Sequence, residues 1–344
     1  MSERGKTSVY ITVDTESSMG GAWQEPSKRP LSAARHVFCQ NQRGAFGIPL
    51  IVQELQRHGF RATFFCEMLA THVLGEADTR SITDFLLAAG QDVQLHLHPT
   101  YWHYHLQTQN ALVDSLSTSR RKSDLLSAHS SEEQEFLLDE ACQIFRRCTG
   151  RWPAAFRAGN FAANQTTLQI LAKRGILIDS SFNPAYVVSH FFDEQSPAVN
   201  LVQFIGGVWE FPIMVAKTRF PEGNGYKPFD LCALCNAEME TILNIAHEAG
   251  MEHVTLIFHC FSLVKPKDVS YSSFKPNRIV IGRLQKLLRF LDRESSKFMV
   301  RTFGEIATVL PSQKEQYRSV LPDLGFWRGS LRKAVQGLNH FYWT

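Results

Sequence analysis

The chain has 344 residues, 44% hydrophobic and 20% charged, with 36 Lys+Arg against 33 Asp+Glu and a formal net charge of +3. That balance excludes a disordered tail, a collagen-like repeat and a small disulfide scaffold, and it leaves no strongly basic footprint for nucleic acid. The length allows two domains or one large α/β barrel.

The first residues, 1–8, are polar, and the apolar run at 9–13 is too short for a secretory core of roughly 7–15 residues. No stretch approaches the roughly 18 apolar residues of a membrane span. The seven cysteines are scattered, and the C-x-x-C pair Cys232 and Cys235 has no second pair to complete a zinc ribbon. The reading is a cytoplasmic protein with reduced thiols.

Residues 9–13 are rich in β-branched side chains and predict a strand. A long loop follows over 17–44, with Gly20, Gly21, Pro26 and Pro30. Pro49 opens a helix that carries Ile51, Val52 and Leu55 on one face and stops at Gly59. Residues 62–66 predict a second strand, 81–89 a helix closed by Gly90, and 92–98 a third strand. The strongest helix signal spans 131–148, where Ser130 and Glu133 form a capping box and Gly150 a stop. Its apolar stripe is Phe136, Leu137, Ala141, Ile144 and Phe145. Residues 155–157 form a short strand, and Asn164 caps a helix over 165–173. Strands at 176–178, 208–211 and 254–258, helices at 231–249 and 283–291, and the segments 298–301 and 305–310 complete the pattern. Strands separated by helices imply parallel βαβ units. With no Pro/Ser/Gly-rich linker, residues 1–310 read as one α/β barrel. Residues 311–344 form a C-terminal helical extension. There Leu331, Ala334, Val335, Leu338 and Tyr342 share a face beside Trp327, Arg328, Arg332 and Lys333. It is a candidate for packing on the barrel or for peripheral membrane contact.

Functional groups of such barrels gather at the C-terminal strand ends. Five predicted strands end in or lead into such groups: Asp14 with Glu16, His96 with His98, Arg157, Asp179 and His259. On a strand, residues i and i+2 share a face, so His96 and His98 address one metal ion, and Asp14 and Glu16 stand side by side. Two histidines and a carboxylate with an open position suit a catalytic zinc-type site; interior hydrogen-bonded histidines are the plain alternative. Tyr101, Trp102, His103, Tyr104 and His105 read as an aromatic loop at the substrate rim, with His103 a reserve ligand. Arg157 either anchors a substrate carboxylate or pairs with Asp14. His259 either donates a proton, with an ordinary pKa near 6.5, or caps its strand.

The ordered motifs Ile11-Thr12-Val13-Asp14-Thr15-Glu16, Gln94-Leu95-His96-Leu97-His98-Pro99, Phe156-Arg157-Ala158-Gly159, Asp179-Ser180-Ser181-Phe182, Trp209-Glu210-Phe211-Pro212 and Leu256-Ile257-Phe258-His259 resemble the NodB-homology polysaccharide deacetylases, carbohydrate esterase family 4. The resemblance covers about residues 10–310 and implies an irregular (β/α)7 barrel, one divalent metal ion (usually zinc) and hydrolysis of an N-acyl group. It implies Asp14 as catalytic base, Arg157 as the arginine that holds it and His259 as general acid. The family's metal ligands are one Asp and two His. Here Thr15 replaces the second Asp of the usual Asp-Asp pair, so the ligand role passes to Glu16. The usual His-x-x-x-His spacing becomes His96-x-His98, with Thr100 and Trp102 at the i+4 positions. Tyr101, Trp102, His103, Asp179 and Trp209 are the candidate substrate-binding residues. The expected reaction removes an N-acetyl group from an amino sugar of a polysaccharide or glycoconjugate precursor. The alternatives are an amidohydrolase acting on a non-sugar amide, and a catalytically silent barrel that binds glycan or a partner.

Overall fold

The computed structural model describes residues 5–25, 27–109, 124–186, 198–218, 225–310 and 317–324. Its centre is a curled sheet of nine strands: β1 (Thr7–Thr15), β2 (Thr63–Glu67), β3 (Asp92–Leu97), β4 (Ala155–Ala158), β5 (Ile178–Asp179), β6 (Gln203–Ile205), β7 (Val208–Glu210), β8 (His253–His259) and β9 (Phe298–Arg301). Eight of them run parallel, seven in the order β8-β1-β2-β3-β4-β5-β7 with β9 beside β1, and β6 adds antiparallel to β7. The far edge of β8 is met by two isolated bridges, Ile213 to Thr255 and Asp230 to Ile257. The seam is therefore stitched by irregular chain in place of a full ladder. This is the irregular (β/α)7 barrel expected from the motifs.

Helices fill the crossovers: α1 (Ala33–His36) and α2 (Ile48–Gln56) after β1, α3 (Thr71–Leu74) and α4 (Glu76–Ala88) after β2, and α5 (Pro99–Thr108) and α6 (Ser131–Thr149) after β3. α7 (Gln165–Lys173) follows β4, α8 (Asn236–Glu248) precedes β8, α9 (Arg278–Arg293) lies between β8 and β9, and α10 (Phe303–Ala307) follows β9. Strand alternation sorts the core into two layers. Val9, Ile11, Val13, Val93, Leu95 and Leu97 join one large apolar cluster with the helices. Tyr10, Phe65, Ile178, Phe211 and Phe303 form a second cluster that fills the barrel's interior. Polar residues sit above this plug, so the chemistry is confined to the C-terminal mouth.

Two segments depart from the sequence reading. Residues 99–108 form a helix, not an aromatic loop. Pro99 occupies the first helical turn, where a missing N–H costs little, and Tyr101 and Tyr104 at i, i+3 spacing are its buried side. The helix expected over 231–249 begins only at Asn236. Its first residues form a turn in which Asp230 Oδ1 accepts from the Cys232 and Ala233 amides.

Residues 317–324 return to the barrel, where Lys217 N donates to Pro322 O at 2.7 Å and Asn200 Nδ2 to Val320 O at 2.9 Å. The amphipathic stretch at 325–344, with its candidate membrane contact, lies outside the described residues. Among those residues no helix is long and apolar enough to cross a membrane.

Candidate active site

β1 carries Thr12 and Asp14 on the inner face, with Glu16 one step beyond the strand. The register sets Asp14 opposite His259 on β8 and His96 on β3 opposite both Glu67 on β2 and Arg157 on β4. Five strand ends therefore deliver polar side chains to one mouth.

Glu16, His96 and His98 present one ligand atom each, all within 4.8 Å of one another. His98 Nε2 lies 2.6 Å and His96 Nε2 3.2 Å from the same oxygen, Glu16 Oε2. The outer nitrogens fix both rings. His96 Nδ1 donates to the Arg157 carbonyl at 2.7 Å, and His98 Nδ1 to Asp124 Oδ2 at 2.6 Å. Because carbonyl and carboxylate only accept, each Nδ1 carries the proton and Nε2 is the nitrogen turned to the site. Burial alone would raise the Glu16 carboxyl, but the charge of His98 and hydrogen bonds from both imidazoles hold it well below the usual range. Burial likewise opposes charge on His98, yet Asp124 and Glu16 on its two sides raise it well above the ordinary histidine value. Glu16 Oε2 and the two Nε2 atoms are a donor set that fits one divalent metal with two neutral imidazoles and a carboxylate. Gly159 is part of this fit: a Cβ there would stand 2.5 Å from the His98 ring.

Beside the ligands lies Asp14, only 3% exposed. Its Oδ1 accepts from Arg157 Nη1 at 2.6 Å. Arg157 is fully buried; it also donates to Thr12 Oγ1, Ser180 O and Ser180 Oγ, and its guanidinium stacks 4.3 Å over the Phe65 ring. These bonds direct Arg157 toward Asp14 instead of toward a ligand carboxylate. His259, half-buried, places Nε2 3.8 Å from Glu16 Oε1, so it borders the same space.

The remaining candidates separate. Tyr101 is 2% exposed and forms a wall below the ligands, its phenol raised well above the usual value by burial and then by Glu67, Glu16 and Asp124. Trp102 packs away from the mouth against His72 and Phe136. His103 Nε2 lies 3.4 Å from His129 Nε2, outside the ligand cluster. Asp179 pairs in register with Phe156, which faces the helices, whereas Arg157 next to it faces inward. Its carboxylate accepts from Ser181 N and Oγ. Trp209 joins the interior apolar plug. Of these five, Tyr101 lies beside the ligands, and the contacts of the other four lie outside the Glu16, His96 and His98 cluster.

Three residues that the sequence did not single out join the site. Asp124 orients His98 and receives a hydrogen bond from Asn160 Nδ2 at 2.8 Å; it lies 26 residues from its histidine, with no local pattern to mark it. Glu67 follows Phe65 on the inner face, so strand alternation could have found it. Its Oε1 accepts from Leu69 N at 2.7 Å and Oε2 has no partner among the described residues. Burial, partly countered by His98, pushes its carboxyl up to about 8. Asp230, bridged to β8, is raised by burial against the charge of His259, which places the two groups in electrostatic contact.

No family model and no curated protein matches the sequence. Solved structures do match the fold. A structure from Mycobacterium smegmatis described as a polysaccharide deacetylase aligns with a TM-score of 0.55 at 14% identity, covering 93% of this chain and 97% of that one. A glycoside hydrolase/deacetylase structure from Parabacteroides distasonis aligns with a TM-score of 0.59 at 12% identity, covering 90% and 72%. The chain has the polysaccharide deacetylase fold and is a highly divergent example of it.

Proposed function

We propose that this chain is a metal-dependent hydrolase that removes an N-acyl group, most simply N-acetyl, from an amino sugar in a polysaccharide or glycoconjugate precursor. The observation that carries the reading is the convergence of Glu16, His96 and His98 on one point, beside a carboxylate that a buried arginine holds. Glu16 Oε2 and the two Nε2 atoms would hold one divalent ion, zinc by the ligand set, and the ion would supply Lewis-acid activation of water and of the acyl group.

The protein's own groups supply the proton traffic. Arg157 occupies Asp14 Oδ1, which leaves Oδ2 to accept the proton of the attacking water. An amide nitrogen does not leave as an anion, so a proton must reach it as the C–N bond breaks. His259 borders the site and is the group placed to supply that proton. The water's proton thus enters at Asp14 and another leaves from His259, so the products are acetate and a free amine.

The test is metal content by mass spectrometry together with acetate release from N-acetylated saccharides. Near one zinc per chain and acetate release are expected for the wild type. Asp14→Asn, with its metal retained, should lose about 10²–10⁴-fold in rate. Full activity of that variant, or a chain that takes up no zinc, cobalt or manganese, would refute the assignment.

A further inference from the structure

The sequence marks His103 as a reserve ligand, and the structure gives it a partner away from the candidate active site. Its Nε2 lies 3.4 Å from Nε2 of His129, and the two ring centroids are 5.0 Å apart with their planes tilted by 31°. His103 is half-buried on α5; His129, 6% exposed, stands one residue before the N-cap of α6. The backbone of His129 is pinned on both sides. Its amide donates to the Leu126 carbonyl, and its own carbonyl accepts from Gln134 Nε2 at 3.0 Å.

The geometry is poor for a hydrogen bond and good for a shared ion. The nitrogens are farther apart than the ~2.7–3.2 Å of an ordinary hydrogen bond, yet the centroids are closer than a head-on contact of that length would set them. The rings therefore meet obliquely, whereas an N–H should point along the line to its acceptor. Two nitrogens held by one tetrahedral zinc at about 2.0–2.1 Å stand about 3.3–3.4 Å apart, which is the separation found here. Glu133 adds a second argument. Its Oε2 lies 3.6 Å from His129 Nδ1, and a carboxylate on that side favours the proton on Nδ1, leaving the Nε2 lone pair turned toward His103. A third is space. Both imidazoles line a hollow of about 220 Å³ with Trp102, Leu106, Phe136 and Glu132. At roughly 30 Å³ per water it has room for the remaining ligands of an ion.

We propose that His103 and His129 form a second metal site, separate from Glu16, His96 and His98, for a divalent transition ion of the zinc, copper and nickel class. Imidazole donors select these ions over magnesium and calcium, which take oxygen ligands. Water or the Glu132 carboxylate completes the coordination from the hollow. With two protein imidazoles against the three protein ligands of the inner set, the outer site is the weaker one. A chain that retains one ion through purification therefore takes up a second on titration. The bound ion ties α5 to the start of α6, the two helices that flank Asp124 in the chain. This site stands without the deacetylase reading.

Zinc titration of the untagged full chain by calorimetry, with zinc per chain counted after equilibrium dialysis, is the test. Wild type should saturate at two zinc ions per chain and His103→Gln at one. Glutamine suits a helix and keeps an N–H for His129 but offers no imidazole, so a mere hydrogen-bonded pair would leave zinc uptake unchanged in this variant. His129→Gln, with its fold checked by circular dichroism, should also stop at one. Its outer affinity should fall by more than the about 10–100-fold that a change outside the ligand set costs. Glu16→Ala/His96→Ala, which removes the inner set, should keep the outer ion. Wild-type zinc uptake in both His103→Gln and His129→Gln overturns the inference, as does an outer site that magnesium fills as well as zinc. A chain whose single zinc is lost in His103→Gln and kept in Glu16→Ala/His96→Ala would refute the proposed function and leave this site. A single zinc lost only in Glu16→Ala/His96→Ala would do the reverse.

Discussion

Asp124 shows how a residue outside the ligand set governs it. Its Oδ2 accepts a hydrogen bond from His98 Nδ1, and its Oδ1 accepts one from the Thr100 amide at 3.1 Å, which ties the start of α5 to the same carboxylate. Asn160, which holds that carboxylate from the other side, has φ +54° and is followed by Phe161 at +56°. Two successive non-glycine residues in the left-handed region cost on the order of 1–3 kcal/mol each, and here that strained corner turns Asn160 Nδ2 toward Asp124. Removing such an outer carboxylate typically lowers metal affinity about 10–100-fold. Asp124→Ala should therefore weaken zinc binding by that factor in a competitive chelator titration, with the far-ultraviolet circular dichroism unchanged. Wild-type affinity in the variant would show that the His98 ring is held by packing against Gly159 alone.

At the scale of elements, periodicity was the legible part. The Ser130 and Glu133 capping box is present with both of its hydrogen bonds, and Gly150 ends α6 in the left-handed conformation. Ser130→Ala should cost about 1 kcal/mol, read as a lowered midpoint in urea at constant slope. An unchanged midpoint would mean that burial of Leu137, Leu138, Ile144 and Phe145 alone sets the stability of α6. The alternation in β1 and β3 marked Asp14, Glu16, His96 and His98 correctly as neighbours, because a two-residue period is a local property. What is not local was not legible. α5 was hidden because its buried tyrosines and its outward Trp102 and His105 are all aromatic, so no polar face contrasts with an apolar one. Asp179 looked like a strand-end functional group, yet its side depends on pairing with Phe156, a register that no short window contains. Asp124 and Asp230 are brought in by tertiary closure alone.

The whole molecule depends on histidines kept neutral by burial. Burial lowers His36, His103 and His253 to about 4 from the ordinary 6.5, helped by His129 at His103 and Arg301 at His253. Below pH 6.5 the unfolded chain takes up protons that the folded chain refuses until about pH 4, so the unfolded state gains and stability falls through that window. For half-buried His253 the loss is at most about 1.4 kcal/mol per pH unit. Buried carboxyls raised in the folded chain, Glu67 among them, gain stability over the same window, so the histidine contribution is read by difference. The urea midpoint of His253→Gln should improve relative to wild type as pH falls from 6.5 to 4.5, and a constant difference would mean that this ring is charged in the folded state. β1 gives the architecture a further property. One edge of this strand is taken by β8 along its length, while β9 and then β2 share the other edge. Two of the three neighbours of the first strand are thus encoded more than 240 positions after it. On the ribosome, the edge of β1 that β8 covers stays unpaired until residues 253–259 are synthesised, since closing so long a loop is slow and yields no contacts until it is complete. Closure of the barrel at β8 therefore follows synthesis of the six strands between, and until then that strand edge is open to other chains.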